Sequence, residues 1–212
     1  MMSRLLPAPL RRLVGLGAAA LVGAVSTAAA QAPAAAAAAP TLVVFITVDQ
    51  LRGDYIGRWY PQLTGGLKRL WDGGAAYTNA HHDHATSETA PGHAATLSGR
   101  FPASTGIVRN NAGVGDPRSP SLLTAGYGAS PHRFRGTVLI DWMRARDPRA
   151  RALSVSRKDR GAILPIGRAK QEAYWWIPDD GGFFSTSTYY ADTLPTWVQR
   201  FNARGMVRGW AG

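Results

Sequence analysis

The run "TLVVFITVD" at residues 41–49 is the feature that most constrains the fold of this chain. Its residues are apolar and mostly β-branched, without the polar alternation of a half-exposed strand. This pattern is typical of a central strand that is buried on both faces, as in parallel sheets. Ligands of α/β sheets bind just outside the carboxyl ends of the strands, so Asp49, which ends the run, is a candidate site residue.

Helices are predicted where apolar residues recur at helical spacing between start and stop signals. The segment "QLTGGLKRLWDGG" at 62–74 has such a spacing and ends on two glycines. A short helix is predicted after Thr89 and Pro91 and before Gly99, because proline is favoured in the first helical turn. Further helices are predicted in "TVLIDWMRAR" at 137–146 and in "TLPTWVQRFNARG" at 193–205, the latter with Thr193 as its N-cap.

Strands and loops fill the rest of the chain. "AAYTNA" at 75–80 and the start of "RALSVSRKDRGAILP" at 151–165 are predicted strands, and residues 112–135, rich in Gly, Pro and Ser, are a predicted long loop. Two aromatic-rich runs within residues 173–190 are joined by "DDGG", a strong hairpin signal. This order of elements indicates an α/β fold, a mixed or parallel sheet with flanking helices and a small hairpin.

The first 30 residues have the pattern of a secretory signal peptide. Three arginines precede an apolar stretch at 13–25, and three small residues at 28–30 form a cleavage site. The apolar stretch is shorter than the roughly 20 residues that span a bilayer. We therefore expect cleavage near Ala30, an Ala-rich leader at 31–40, and a domain at 41–212 that is periplasmic or secreted without stable membrane insertion; a retained N-terminal anchor is the alternative.

The composition restricts the possible chemistry. The chain has no cysteine, which excludes disulfides, a cysteine nucleophile and a thiolate metal site. Its net charge is +11, and such a basic surface attracts anions such as phosphate esters. No run of five like charges marks a binding tail, so a solvated basic surface is favoured over nucleic-acid binding.

The segment "SETAPGHAATLSGRFPASTGIVRNN" at 87–111 carries the candidate chemistry. Thr89, at a predicted helix start, is either an N-cap or a nucleophile. A helix N-terminus stabilises both an alkoxide and a bound phosphate. A threonine hydroxyl needs a base or a metal for activation, and the neighbouring sequence offers no clear base. A metal is therefore the expected activator, with Asp49 as its hard-oxygen ligand.

Three motifs in order, "VVFITVDQLRGDY", "TSETAPGHAATLSGRFPASTGIVRNN" and "RKDRGAILPIGR" followed by "AYWW", resemble the alkaline phosphatase superfamily. Within it they are most similar to the periplasmic, phosphate-irrepressible alkaline phosphatases with a threonine nucleophile, from about Thr41 to the end of the chain. The resemblance implies two zinc ions at the carboxyl end of an α/β sheet. It also implies a phospho-threonine intermediate and phosphate monoesters as substrates.

By motif, the resemblance assigns Asp49 as a zinc ligand and Thr89 as the nucleophile that also contacts zinc. It assigns Asn110 as a donor to a phosphoryl oxygen, and Lys158 and Arg160 as the cations that hold the phosphoryl group. In an extended chain Lys158 and Arg160 point to the same face, which suits this role independently of the resemblance. Two cations and an amide around three oxygens match what phosphoryl transfer requires.

Two other features are interpreted as non-catalytic. "HHDH" at 81–84 has residue types that suit zinc, but it lies outside the positions that match ligands of the family, and a solvated loop is favoured. His93 follows Thr89 by one helical turn and is interpreted as a packing or hydrogen-bonding residue rather than a general base.

The chain departs from the family pattern in its zinc ligands. The family's remaining ligands are later aspartates and histidines, and no histidine follows Arg160 here. We therefore expect the N-terminal portion of a longer enzyme, with an incomplete sheet, weak zinc binding and no activity as this chain. Two alternatives stay open: a phosphodiesterase or nucleotide pyrophosphatase, and a non-catalytic exported anion-binding module. The physiological substrate and the oligomeric state are not determined by the sequence.

Overall fold

The computed structural model describes residues 40–178 and 182–206. It divides into two compact units at the bond between Phe45 and Ile46. The described residues of the first unit, 40–45, are exposed and irregular, and the second unit holds all the helices and strands reported below. The predicted signal peptide, nearly all of the predicted leader and three residues of the predicted "DDGG" turn lie outside the described residues.

The second unit is built from short helices and five short strands among the described residues. The α-helices are α1 (Tyr55–Arg58), α2 (Gly66–Gly73), α3 (Thr89–Ser98), α4 (Pro102–Thr105), α5 (Leu139–Arg146), α6 (Asp159–Ile163) and α7 (Thr196–Ala203). Single 3-10 turns lie at Tyr60–Gln62, Asn110–Ala112 and Leu164–Ile166. The strands are β1 (Gly115–Pro120), β2 (Gly128–Ala129), β3 (Leu153–Ser156), β4 (Glu172–Ile177) and β5 (Phe183–Ser185).

A mixed sheet with the order β3-β4-β5 organises the candidate site. β3 and β4 are parallel, with Val155 opposite Tyr174 and Ser156 opposite Trp175. β4 and β5 are antiparallel, with Trp176 opposite Phe184. The prediction of a strand after residue 151 and of pairing between the two aromatic-rich runs is therefore confirmed, and so is the α/β fold class.

Side chains of β4 alternate between two hydrophobic clusters, as the period of two in a strand requires. Ala173, Trp175 and Ile177 belong to the main core, together with buried residues of α3 and α6. Tyr174 lies on the other face, in a smaller cluster with Leu194 and with Val198 of α7. The main core thereby fixes α3 and α6 against the face of the sheet from which the candidate site is built.

The prediction of a buried central strand at 41–49 is wrong for this structure. Residues 41–48 have no strand assignment and are exposed, with Leu42 at 76% and Ile46 at 70% relative exposure. A strand forms only where its backbone pairs with a neighbour, and the described residues provide no strand beside this run. "AAYTNA" is also irregular and exposed, for the same reason.

Other predicted elements are confirmed with changed boundaries. The glycine stops after α2 and α3 are correct, since Gly74 and Gly99 are the C-caps. The predicted loop at 112–135 instead contains the antiparallel pair β1 and β2. The last helix begins at Thr196 with Pro195 as its N-cap, so Thr193 is not the cap.

None of the helices in the described part of the chain is long and apolar enough to cross a bilayer.

Candidate active site

Helix α3 positions the central side chain of the site. It begins at Thr89, after Glu88 in an extended conformation, and it ends at Gly99, which has the left-handed φ of 62° typical of a helix C-cap. Ala90 and Ala94 are fully buried on its inner side. These small residues allow close packing of α3 against the core, so the position of Thr89 at its first turn is fixed.

The hydroxyl of Thr89 donates a hydrogen bond to Asp49, with 3.0 Å between Oγ1 and Oδ2. Glu88, not Thr89, occupies the N-cap position, and no side-chain cap hydrogen bond is formed. The N-cap alternative for Thr89 is therefore wrong. The structure instead brings together the two residues to which the sequence assigned a common site.

Asp49 reaches Thr89 from a strained turn. Gln50, the next residue, has a φ of 63° and is the one non-glycine residue with positive φ in the described part of the chain. The turn is closed by the amide of Leu51, which donates to the carbonyl of Val48 over 3.3 Å. Residues other than glycine rarely adopt this backbone conformation, and such outliers cluster at functional sites.

Lys158 is the third member of the site. Its ammonium lies 3.6 Å from Asp49 Oδ2, the same oxygen that accepts from Thr89. The backbone places it there because Lys158 is the N-cap of α6, and its amide donates to Ser156 Oγ over 3.3 Å. Both side chains of the ion pair are about two-fifths exposed, at 42% and 40%. The site is therefore open to a solvent-borne ligand.

Asn110 joins the site through the first turn of α3. Its side-chain Oδ1 accepts a hydrogen bond from the backbone amide of Ala90 over 2.8 Å. The backbone amide of Asn110 donates to Glu88 Oε2 over 2.6 Å. The first bond uses the oxygen of the Asn110 side chain and leaves Nδ2, a two-hydrogen donor, for another acceptor. It also occupies one of the N–H groups that we expected to be available to a phosphate.

Arg160 is not placed as the extended-chain argument predicted. α6 begins at Asp159, so Arg160 lies inside a helix rather than two residues along a strand from Lys158. Its Nη1 is 3.4 Å from Asp159 Oδ1, and its buried Nε has no partner among the described residues. Arg160 is therefore adjacent to the site, but it forms no described contact with Thr89, Asn110 or Asp49.

His93 has the packing role predicted for it. It is 7% exposed, and its Nδ1 lies 2.8 Å from the carbonyl oxygen of Thr89, which accepts a hydrogen bond. Gly161 of α6 packs beside it, since an added Cβ would lie in ordinary van der Waals contact with His93 Nε2, at 3.5 Å. Helices α3 and α6 thus meet at His93, which orients the backbone of Thr89.

The "HHDH" segment forms the predicted exposed loop. His81 and His82 are exposed, and His84 is half-buried with its Nδ1 3.1 Å from the carbonyl of Thr86. The rings of His82 and His84 are 5.2 Å apart. None of the described contacts connects this loop to Asp49 or Thr89.

Two oxygen atoms of the site suit the zinc ions that the resemblance implies. Asp49 Oδ2 and Thr89 Oγ1 are converging oxygen donors, which fit part of a zinc ligand set. Within residues 40–178 and 182–206, no three His, Asp or Glu side chains cluster as a metal site would require. The two oxygens can therefore supply one side of a metal site.

Two residues near the site were not predicted from the sequence. The Glu88 carboxylate accepts a hydrogen bond from the backbone amide of Asn110, and Tyr127 donates its hydroxyl hydrogen to Asp159. Burial, followed by the negative charge of Asp159, raises the pKa of Tyr127, so this hydroxyl stays protonated. The acid directly before a predicted helix start was a usable signal for Glu88, whereas the partner of Tyr127 is distant in sequence and gives no local signal.

Comparison with known families gives one match over most of the chain. The family model described as type I phosphodiesterase / nucleotide pyrophosphatase matches residues 43–204.

Several curated relatives are named alkaline phosphatases. PhoV of Synechococcus elongatus is 39% identical over 79% of this chain and 33% of its own length. PhoK of a Sphingomonas species is 37% identical over 80% and 32%, and PafA of Elizabethkingia meningoseptica is 34% identical over 81% and 35%. The chain therefore spans about a third of the length of these relatives.

Crystal structures of PafA resemble this chain in fold. The wild-type alkaline phosphatase PafA superposes with a TM-score of 0.68 and 32% identity, over 74% of this chain and 33% of PafA. A second PafA structure, with a TM-score of 0.68 and 31% identity, carries substitutions of one threonine, one asparagine, one lysine and one arginine.

Proposed function

Because the chain belongs to the type I phosphodiesterase / nucleotide pyrophosphatase family of the alkaline phosphatase superfamily, we propose that the protein hydrolyses phosphate monoesters with Thr89 as its nucleophile. The observation that carries the proposal is the hydrogen bond from Thr89 to Asp49 at the first turn of α3. In this contact the hydroxyl of Thr89 lies beside an acidic oxygen at the first turn of a helix, where the helix dipole is positive, and this supports a role as nucleophile. We also propose that the protein is exported, on the basis of residues 1–30.

The curated relatives support a monoesterase, because PhoV, PhoK and PafA are named alkaline phosphatases. The spacing of the site residues adds support. Thr89 and Asn110 have the same separation along the chain as the threonine and asparagine substituted in the PafA variant. Lys158 and Arg160 have the same separation as its lysine and arginine.

In the proposed first step, Thr89 Oγ1 forms a bond to phosphorus while the bond from phosphorus to the ester oxygen breaks. The hydroxyl proton leaves along the hydrogen bond to Asp49 Oδ2 and from there to solvent, which reaches this half-exposed carboxylate. The released alcohol oxygen takes a proton from water. Water then attacks the phospho-threonine, the bond from Thr89 Oγ1 to phosphorus breaks, and the hydroxyl is restored as inorganic phosphate leaves.

Asp49 and Thr89 would hold a zinc ion on this side of the site. Such an ion, when bound, supplies Lewis-acid stabilisation of the oxygens and favours the ionised nucleophile. The proposal for the whole protein includes two zinc ions. Within the described residues, no group of three or more His, Asp or Glu side chains supplies the other ligands.

The remaining residues stabilise charge on the phosphoryl group. The Lys158 ammonium lies 3.6 Å from Asp49, and an oxygen of a dianionic phosphoryl group is a stronger partner for it than a solvated carboxylate. Asn110 Nδ2 is the amide donor whose position is set by the bond from Ala90 to Oδ1. We assign Arg160 a contact with the same phosphoryl group, which its side chain would reach by rotating away from Asp159. Positioning and charge stabilisation supply most of the catalysis of phosphoryl transfer.

The description of the family favours a second candidate, a phosphodiesterase or nucleotide pyrophosphatase. Both activities use the same nucleophile and the same side of the metal site. A diester presents one fewer charged oxygen than a monoester, and it therefore gains less from a cation such as Lys158. The effect of removing this cation distinguishes the two functions.

The experiment compares hydrolysis of an aryl phosphate and its diaryl ester by the full-length protein with zinc, and by its Lys158→Ala variant. We expect the monoester to be preferred, with a loss of at least about a hundredfold for the variant that is larger for the monoester than for the diester. A preference for the diester, or a variant with unchanged monoester hydrolysis, contradicts the assignment. Hydrolysis of neither ester, with phosphate binding that persists without zinc and in Thr89→Ala, indicates a non-catalytic anion-binding module.

A further inference from the structure

Glu88 directly precedes the proposed nucleophile and is the N-cap residue of α3. An N-cap side chain usually accepts a hydrogen bond from a backbone amide in the first turn of its own helix. Glu88 does not do so, since α3 has no side-chain cap hydrogen bond. Its carboxylate is therefore available to another segment of the chain, although it lies at the start of the helix that carries Thr89.

The partner of this carboxylate is the backbone of Asn110. Glu88 Oε2 accepts the N–H of Asn110 over 2.6 Å, across a separation of 22 positions in the chain. The acceptor is ionised, and hydrogen bonds to ionised acceptors are roughly twice as strong as neutral ones. The bond therefore ties the turn that begins at Asn110 to the residue directly before Thr89.

A second bond runs in the opposite direction between the same two segments. The backbone amide of Ala90 donates to Asn110 Oδ1 over 2.8 Å. Glu88 thus holds the backbone of Asn110, and Ala90 holds its carboxamide. A flipped carboxamide would place Nδ2 against the Ala90 N–H, which is a contact between two donors. Together the two bonds fix both the position of Asn110 and the direction of its Nδ2 donor.

The segment around Asn110 has few other anchors. Ile107 and Val114 are buried in the main core on either side of it. Between them, Val108 is 42% exposed, and the 3-10 turn at Asn110–Ala112 has no buried residue. The core therefore fixes the two ends of the segment, and the hydrogen bonds to α3 hold Asn110 itself at the first turn of that helix.

The negative charge of Glu88 and its acceptor oxygen have opposite effects on a phosphoryl group. A carboxylate repels a phosphate dianion, and Glu88 is exposed, so solvent weakens this repulsion. The acceptor oxygen, in contrast, favours phosphate binding because it holds the segment that carries the Asn110 donor. Substitution by glutamine removes the charge and keeps an acceptor oxygen, so it separates the two effects.

We propose that Glu88 is a positioning residue: through the backbone amide of Asn110 it holds the Asn110 carboxamide where Nδ2 donates to the phosphoryl group. The inference rests on the proposed function, because it uses Thr89 as the nucleophile and Asn110 as the phosphoryl donor. Without the acceptor at Glu88, the exposed turn moves relative to α3 and the donor is misplaced. Misplaced donors stabilise charge less, since catalysis of this kind depends on donors held in position before the reaction.

The test compares Glu88→Ala with Glu88→Gln in the full-length protein with zinc. Both variants lose the charge, and only glutamine keeps an acceptor for the Asn110 amide. We expect kcat/KM for an aryl phosphate to be at least about tenfold lower in Glu88→Ala than in Glu88→Gln. Glu88→Gln should stay within about threefold of the wild type, because a neutral oxygen still accepts this bond. Glu172→Ala is a matched control at the other glutamate of the chain, which is exposed at the start of β4, and it should resemble the wild type.

A double-mutant cycle shows whether Glu88 acts through Asn110. Asn110→Ala has no Nδ2 donor to position, so adding Glu88→Ala to it should lower kcat/KM further by less than about twofold. A purely structural role of Glu88 would instead lower kcat/KM by the same factor in both backgrounds. Additive losses, or equal values for Glu88→Ala and Glu88→Gln, overturn the proposal.

Binding of inorganic phosphate separates failure of this inference from failure of the proposed function. Isothermal titration calorimetry measures its Kd for the wild type, Glu88→Ala and Glu88→Gln. A protein that hydrolyses no monoester, but binds phosphate more weakly as Glu88→Ala than as Glu88→Gln, supports the positioning role and contradicts the monoesterase. Monoester hydrolysis with equal kcat/KM and equal phosphate Kd in the two variants supports the monoesterase and contradicts the positioning role.

Discussion

Thr89 Oγ1 donates a hydrogen bond of 3.0 Å to Asp49 Oδ2, although the two residues are 40 positions apart in the chain. The contact joins a strained turn to the first residue of a helix that is anchored in the core. Their contact brings a hydroxyl, a carboxylate and, through Asp49, the ammonium of Lys158 to one place.

The first prediction concerns Thr89 as the covalent nucleophile. Thr89→Ala should lower kcat/KM for an aryl phosphate at least about a thousandfold, because removal of a nucleophile abolishes the covalent route. Thr89→Ser keeps a hydroxyl at the same position and should retain measurable activity. Acid quenching during turnover of a radiolabelled phosphate ester should leave label on the wild type and on Thr89→Ser only. Label on Thr89→Ala would show that another residue is phosphorylated.

Asn110 has an observed structural contact and a proposed role in catalysis, and substitution can separate the two. Asn110→Ala removes the acceptor of the Ala90 amide and should destabilise the fold by about 1 kcal/mol, as loss of a helix cap does. Asn110→Asp keeps that acceptor, loses the Nδ2 donor and adds a negative charge near the proposed phosphoryl site. Urea denaturation should therefore show near-native stability for Asn110→Asp, while its kcat/KM falls at least about tenfold. Equal activity of Asn110→Asp and the wild type would remove Asn110 from the site.

The local elements of the site could be predicted from sequence because their signals are local. Pro91 and Gly99 bound α3, and Gly74 ends α2, and each acts through its own backbone preference. The relative placement of Lys158 and Arg160 was predicted incorrectly because the chain leaves the extended conformation at Asp159. Alternation between faces applies only while the strand continues.

Contacts between residues distant in the chain were harder to predict from the sequence. The run at 41–48 has the composition of a buried strand, yet strand formation depends on neighbours that composition does not specify. The bonds of Asn110 to Ala90 and Glu88 likewise depend on the fold of residues 99–109, which returns the chain to the start of α3. The sequence indicated which residue types belong to the site, whereas these pairings required the structure.

The Asp116 carboxyl group is expected to make the free energy of unfolding depend on pH. Its side chain is 5% exposed and accepts hydrogen bonds from Arg118 and Ser130, and the Arg118 bond is the main reason that its pKa lies well below the ordinary value. A carboxyl group with a depressed pKa in the folded state stabilises the fold above its unfolded pKa, near 4, and this contribution is lost as pH falls below that value. Asp116→Asn should lower the free energy of unfolding at pH 7 by roughly 1–3 kcal/mol, and the difference from wild type should shrink progressively below about pH 4.

Asp147 provides a matched control for Asp116. It pairs with Arg149 at the same spacing of two residues, but its side chain is 48% exposed. Solvent screens exposed pairs, so Asp147→Asn should change stability much less than Asp116→Asn. Urea denaturation of both variants between about pH 3 and pH 7 checks the comparison, because this range includes the ordinary pKa of an aspartate carboxyl group. A difference for Asp116→Asn that stays constant over this range would show that its charge does not contribute.

Alanine substitutions at Gly182 and Gly99 distinguish the cost of backbone strain from the cost of steric overlap. Both have positive φ, 79° and 62°, but an added Cβ meets nothing within 4 Å at Gly99 and lies 1.8 Å from the Trp176 ring at Gly182. Gly99→Ala should therefore cost only the left-handed conformation, about 1 kcal/mol. Gly182→Ala should cost that amount plus roughly 1–3 kcal/mol for displacing the indole. Thermal unfolding measures both costs, and equal destabilisation would mean that Trp176 moves freely.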